Sequence, residues 1–161
     1  MTLTIHRGTH EIGGSCVEIR TDKAKILIDL GMPLDYDKRS REEQTEIRHN
    51  AEEWCKGVDA LFLSHAHADH YGFLGLLTQD TPIYATEEVH RGINRNYCVT
   101  TKLTPEHTRL IQKSQTVEIG DLRVTAFSVP HDSSDCVGYR VETNEEIFLV
   151  ITDIGHATEL I

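Results

Sequence analysis

Ser64-His65-Ala66-His67-Ala68-Asp69-His70 places three imidazoles and a carboxylate directly after the apolar run Ala60-Leu61-Phe62-Leu63. A short apolar run that ends in polar residues reads as a buried strand delivering side chains at its end. His65 and His67 are two apart, so on an extended segment both imidazoles project from the same side as a chelating pair. Asp69 falls where it can cap a helix starting near His70, which would turn the chain and aim a carboxylate and a third imidazole at a neighbouring point. This one segment therefore holds donors for two metal ions. Imidazole and carboxylate without thiolate suit zinc first, with manganese or iron as the alternatives.

The bland reading of the segment is a polar loop with surplus histidines, and two distant features weigh against it. His131 follows the apolar strand Thr125-Ala126-Phe127-Ser128-Val129-Pro130, and Asp153 follows Phe148-Leu149-Val150-Ile151-Thr152. Three separate strand ends each deliver a metal-type ligand, as expected of a site mounted on a sheet edge.

The rest of the chain supplies the frame. Leu3–His6, Cys16–Arg20 and Ala24–Leu30 read as strands of an antiparallel meander, with turns at Gly8, Gly13-Gly14 and Thr21-Asp22-Lys23. The charged stretch from Ser40 to Lys56 reads as a mostly exposed helix with Ile47, Ala51 and Trp54 on its apolar side and Gly57 as its stop. Further strands are expected over Val58–Leu63, Pro82–Ala85, Thr116–Ile119, Leu122–Val129, Val137–Glu142 and Ile147–Thr152. Helices are expected over Tyr71–Leu77, Thr86–Asn94 and Pro105–Lys113, the last opened by a Thr104 cap. Strands at both ends with helices between them indicate an α/β (α+β) domain of two packed sheets with helices outside.

At 161 residues the chain suits one domain, 1–161. Its net charge of −10 provides no global attraction to nucleic acid or anionic membrane, so any such partner needs a local cationic site, which a metal cluster could supply. Cys16, Cys55, Cys98 and Cys136 are scattered without a C-x-x-C pair, which argues against a disulfide framework and a thiolate zinc site. No segment reaches membrane-spanning length and the N-terminus lacks a signal-peptide pattern, so no membrane partner and a cytoplasmic location are expected.

On the spacing H-x-H-x-D-H, followed by a later His and Asp, the chain resembles the metallo-β-lactamase superfamily. The resemblance implies an αββα sandwich. It also implies a ligand set: His65, His67 and His131 for a first metal, Asp69 and His70 for a second, and Asp153 bridging both. Ile26-Leu27-Ile28-Asp29-Leu30-Gly31 is similar to the family's early strand-Asp-x-Gly element, which implies that Asp29 supports the ligands. The family's last ligand His has no match before Ile161; His156 lies too close behind Asp153. The expectation is an N-terminal portion of a longer enzyme, its sandwich incomplete at the C-terminus, with an under-coordinated second metal as the alternative. Such a portion would expose apolar sheet and an unpaired edge, and homodimerisation through that sheet is expected.

Within the superfamily, His131-Asp132-Ser133-Ser134-Asp135-Cys136-Val137-Gly138 is similar to the corresponding segment of ribonuclease J and related β-CASP RNA-processing exonucleases, and Gly8–Cys16 resembles their hairpin entry. The expected activity is a phosphodiesterase or nuclease acting on RNA or DNA, or on a small phosphodiester. A hydroxide held between two metals roughly 3.5–4 Å apart is a nucleophile at neutral pH. Asp69 would orient it. Thioester, lactone or β-lactam hydrolysis on the same metal pair is the alternative, and a non-enzymatic scaffold a third. Asp135 is expected to fix the tautomer of a ligand imidazole, with a plain turn as the competing reading. Ser133 and Ser134 are candidate phosphate donors, though a turn accounts for them as well, and His10 is a candidate at the site's border. Lys38-Arg39-Ser40-Arg41 and the stretch from Arg91 to Arg95 read as solvated faces.

Overall fold

The antiparallel meander forms as expected from β1 (Thr2–Arg7), β2 (Cys16–Arg20) and β3 (Lys25–Ile28), and β3 then pairs in parallel with β4 (Ala60–Phe62). Parallel pairing continues through β5 (Ile83–Ala85) to β6 (Thr108–Leu110), giving a six-stranded sheet in the order β1-β2-β3-β4-β5-β6. A second sheet, entirely antiparallel, has the order β10-β9-β8-β7 and comprises β7 (Thr116–Ile119), β8 (Leu122–Ser128), β9 (Val137–Glu142) and β10 (Ile147–Val150). The computed structural model describes residues 1–95, 103–104, 106–131 and 135–155.

Two cores follow from the strand period of two. In β3 and β4, Ile26, Ile28, Ala60 and Phe62 face the second sheet, where they meet Leu122, Val124, Ala126, Val137, Tyr139 and Val141. Leu27, Leu61 and Leu63 face the other way, into a core closed by helices α1 (Arg41–Trp54), α2 (Ala68–Tyr71) and α3 (Glu87–Arg95). Central strands buried on both sides read as the continuous apolar runs seen in the sequence. The layers are helix, sheet and sheet. Among the described residues no helix covers the outer face of the second sheet, where Ile147 and Leu149 are exposed.

Helix α1 matches its expected span because its signals are local. Ser40 and Glu43 form a reciprocal capping box, Ile47 and Ala51 make the buried stripe, and Lys25 Nζ donates to the Trp54 and Lys56 carbonyls at the far end. Pro105–Lys113 is a correction. The structure has β6 there, with Ile83 N–H donating to His107 O and Ile111 N–H to Ala85 O, so a parallel ladder overrides the Thr104-Pro105 start signal. Pro105 itself lies outside the described residues. The helix expected over Tyr71–Leu77 is instead the single turn α2 and a 3₁₀ turn at Leu74–Leu76, separated where Gly72 packs against Met32 and the Ala68 carbonyl.

Cys16, Cys55 and Cys136 are buried, and Cys98 lies outside the described residues. No helix among the described residues is long and apolar enough to cross a membrane.

Candidate metal centre

The residues singled out at the three strand ends meet at one rim of the two sheets. One ligand atom from each of His65, His67, His131 and Asp153 lies within 4.8 Å of the others. Asp153 Oδ2 is their hub: it is 3.5 Å from His131 Nε2, 3.6 Å from His70 Nε2 and 3.8 Å from His65 Nε2. Asp69 Oδ2 lies 3.7 Å from His70 Nε2. Among the described residues, the imidazoles of His65, His67 and His131 and the Asp153 carboxylate form the group that could hold a metal ion, with His70 and Asp69 beside them.

Asp69 reaches this place differently from the expected helix cap. The N-cap of α2 is His67, which makes no side-chain capping bond, and Asp69 sits inside the first turn. Its backbone is fixed instead by Ser15 N–H, which donates to Asp69 O at 3.1 Å, while Gly31 N–H donates to Ser15 O. A Cβ on Gly31 would overlap the Asp69 carbonyl, so only glycine allows this approach.

A buried aspartate organises the imidazoles. Asp29, at the end of β3 with φ +59°, accepts from Ser64 N–H at 2.8 Å, Ser64 Oγ at 2.7 Å, Thr152 Oγ1 at 2.8 Å and His70 Nδ1 at 2.8 Å. Because Nδ1 of His70 donates here, its Nε2 is the atom turned toward Asp69 and Asp153. Ser64 has one hydroxyl proton, and that goes to Asp29. Its oxygen must then accept from His65 Nδ1, 2.9 Å away, which leaves His65 Nε2 as a bare lone pair. That Nε2 is buried and makes no hydrogen bond. An orphaned buried imidazole nitrogen among three other donors is what a metal ligand looks like before its ion is considered.

Electrostatics agree with this tautomer assignment. Burial, reinforced by the nearby His70 charge, pushes the His65 imidazole down to about 3, so it stays neutral. His70 feels the same burial, but the Asp29 carboxylate outweighs it and the net shift is upward. For Asp29, burial works against ionisation; the His70 charge and the bonds from His70 and Ser64 outweigh it and hold the carboxyl below its usual range.

Of the other expected site residues, Asp135 has partners different from those expected. Asp135 is bonded by Thr86 Oγ1 at 2.6 Å and paired with Lys113 Nζ, so it does not touch a ligand imidazole; the orienting bonds come from Asp29 and Ser64 instead. His10 is exposed and makes no hydrogen bond or ion pair among the described residues. Ser133, Ser134 and His156 lie outside the described residues. Of the cations read as solvated faces, Arg39 is paired with Asp35 and Glu11, and Arg91 with Glu87 and Glu88. Sequence reading missed the roles of Ser64 and Thr152. Their signal is position: each is a hydroxyl residue immediately before a ligand, His65 or Asp153.

Comparisons with known proteins agree with this architecture. Residues 25–161 match the family model described as the beta-lactamase superfamily domain. A probable RNase of Methanocaldococcus jannaschii, MJ4, is 42% identical over 80 residues, which is 48% of this chain and 17% of that protein. The exodeoxyribonuclease YycJ of Bacillus anthracis is 24% identical over 148 residues, covering 91% of this chain and 52% of its own length. The chain thus spans about half or less of these curated relatives. Among solved structures, a protein of unknown function from Enterococcus faecalis superposes with a TM-score of 0.69 at 19% identity, covering 91% of this chain and 42% of that one. The soil-metagenome subclass B3 metallo-beta-lactamase MEM-A1 superposes at 0.58 with 23% identity, covering 85% and 55%.

Proposed function

The chain belongs to the beta-lactamase superfamily, and from that premise we propose that it is the metal-binding portion of a dinuclear hydrolase that cleaves phosphodiester bonds of RNA or DNA. The single observation that supports the two-metal reading is the position of Asp153 Oδ2, within 3.8 Å of Nε2 of His65, His70 and His131 alike. His65, His67 and His131 would hold one ion, Asp69 and His70 the other, and Asp153 would serve both, with zinc favoured by the donor set and manganese or iron as alternatives. Bound divalent ions supply a water that is nucleophilic at neutral pH and positive charge for the oxygens of an in-line displacement at phosphorus.

The chain's own groups do the rest. Asp69 would accept a hydrogen bond from the attacking water and orient it. Asp29 and Ser64 hold His70 and His65 with Nε2 inward, so no reorganisation is needed when ions enter. A gathered dication pair would give an otherwise acidic surface the local cationic patch that a polyanion requires. The choice of phosphodiester over β-lactam or thioester is supported by the relatives, which are named as an RNase and an exodeoxyribonuclease.

The test uses the chain loaded with zinc or manganese. Bis(p-nitrophenyl) phosphate and 5′-labelled RNA and DNA are offered alongside nitrocefin and S-lactoylglutathione. Phosphodiester cleavage that is lost on chelation and falls at least ~100-fold in Asp69→Ala is the expected result. Turnover of nitrocefin or the thioester without phosphodiester cleavage overturns the substrate assignment, and a chain that takes up no divalent ion overturns the metal centre.

A further inference from the structure

We propose that Asp135 is a positioning residue: with Lys113 and Thr86 it clamps the start of β9, and through it the end of β8 that leads into His131, to the first sheet, and so sets the geometry of the first metal site. The inference rests on the metal reading above. Its basis is where the ligands come from. His65 and His67 follow β4 of the first sheet, whereas His131 follows β8 of the second, so the three-imidazole group spans the seam between sheets. Any slip of one sheet edge against the other would separate His131 from its partners, and a ligand set must be held to about half an ångström.

Besides the Thr152 hydroxyl on Asp29, three further ties among the described residues cross that seam near the site. Val137 N–H donates to Ser64 O at 3.0 Å, and Tyr139 hydroxyl donates to Leu63 O at 2.6 Å; both anchor β9 at the start of the ligand segment. The third is Asp135. It lies four residues past His131 in the sequence and next to Cys136, whose carbonyl accepts from Val129 N–H, just beyond β8, at 3.0 Å. Its carboxylate accepts from Thr86 Oγ1, just beyond β5, and pairs with Lys113 Nζ, just beyond β6. Thr86 Oγ1 in turn accepts from Val89 N–H in the first turn of α3, which fixes the hydroxyl rotor so that its proton points to Asp135. The aspartate adopts φ +72°, in the left-handed region that aspartate enters more readily than most side chains, and its side chain is only 10% exposed. Asp135 makes no hydrogen bond or ion pair with the six ligands, so its influence on the metal passes through the backbone, from Cys136 to Val129 and on to His131.

The experiment measures metal affinity rather than turnover. Apo chain is titrated with zinc against a chromophoric chelator, and separately with cobalt, whose visible absorption reports ligand geometry. Asp135→Ala is expected to weaken the tighter zinc equivalent about 10- to 100-fold, the range seen when support of a ligand is removed, and to alter the cobalt spectrum. Lys113→Met should show a smaller loss and Lys113→Arg should restore wild-type affinity. Asp135→Asn, which keeps its size and its bond from Thr86, serves if the alanine variant fails to fold. A folded Asp135→Ala or Asp135→Asn chain with wild-type zinc affinity and cobalt spectrum overturns the clamp alone. Wild-type chain that binds neither ion overturns the metal reading and the clamp with it.

Discussion

Asp29 and Asp135 are two answers to one problem, each an aspartate held at positive φ beside a segment that carries metal-type ligands. Asp29 is fully buried and surrounded by Ser64, Thr152 and His70, with no lysine or arginine among its partners. Asp135 sits near the surface, where a lysine whose side chain is 42% exposed does much of the holding. A carboxylate without water can dictate which imidazole nitrogen carries a proton, because every proton it accepts is accounted for. A carboxylate at the rim ties two pieces of chain together and leaves the tautomers alone. Depth, more than residue type, separates the two roles.

Removing the deep carboxylate is expected to have the largest effect. Asp29→Ala strands two hydroxyls, a backbone N–H and a buried imidazole, and by analogy with broken buried pairs the apo chain should lose about 3–5 kcal/mol in urea unfolding. The loss should be accompanied by a His70 imidazole whose Nδ1–H signal in NMR is no longer protected from exchange. A loss below ~1 kcal/mol would mean that the network is replaceable and that Asp29 and Asp135 do not differ as described.

Thr152→Val sharpens the same contrast at smaller scale. It removes one of four bonds to Asp29 without changing shape much, and a cost of about 1–2 kcal/mol is expected in unfolding, with ligand residues otherwise in place. The matching change at the rim, Lys113→Met, leaves Asp135 its bond from Thr86 and should cost less, because the lysine is partly open to solvent.

How much of this was visible in the sequence follows the same division between local and distant causes. The Ser40–Glu43 box, the Gly57 stop and the alternating strands are written in neighbouring residues, and they were legible. The SHAHADH spacing brought out His65, His67, Asp69 and His70, because chelation by near neighbours is itself local. His131 and Asp153 were legible only as ligand types at strand ends, since nothing nearby says which strands come together. The segment from Thr104 to Lys113 misled, because a Thr-Pro start signal is worth less than a parallel ladder with β5 that no local pattern announces. Asp135 misled for a related reason: its spacing from His131 suggested contact with an imidazole, yet its partners come from β5 and β6, far away in the chain. Ser64 and Thr152 went unread because a hydroxyl's role depends on where its single proton goes, which requires the buried Asp29 acceptor in three dimensions.

The smallest expected effect concerns the pH dependence of the rim tie. Burial alone would raise the Asp135 pKa, but the bonds from Lys113 and Thr86, with Glu88 also facing it, outweigh burial and hold the carboxyl below its usual range. A carboxyl depressed in the folded state contributes stability that is fully present above the ordinary carboxylate pKa and is lost as pH falls through the lower folded value. Asp135→Asn lacks that contribution, so wild type should exceed the variant at pH 7, and the two unfolding curves should converge as pH falls below the usual carboxylate range. Because Lys113 is half open to solvent, the gap at pH 7 should be under ~1 kcal/mol and shrink with added salt. Urea midpoints measured over a pH series at low and high salt decide it. A gap that is constant with pH and indifferent to salt would assign the Asp135 tie to the Thr86 hydrogen bond alone and remove the charge from the clamp.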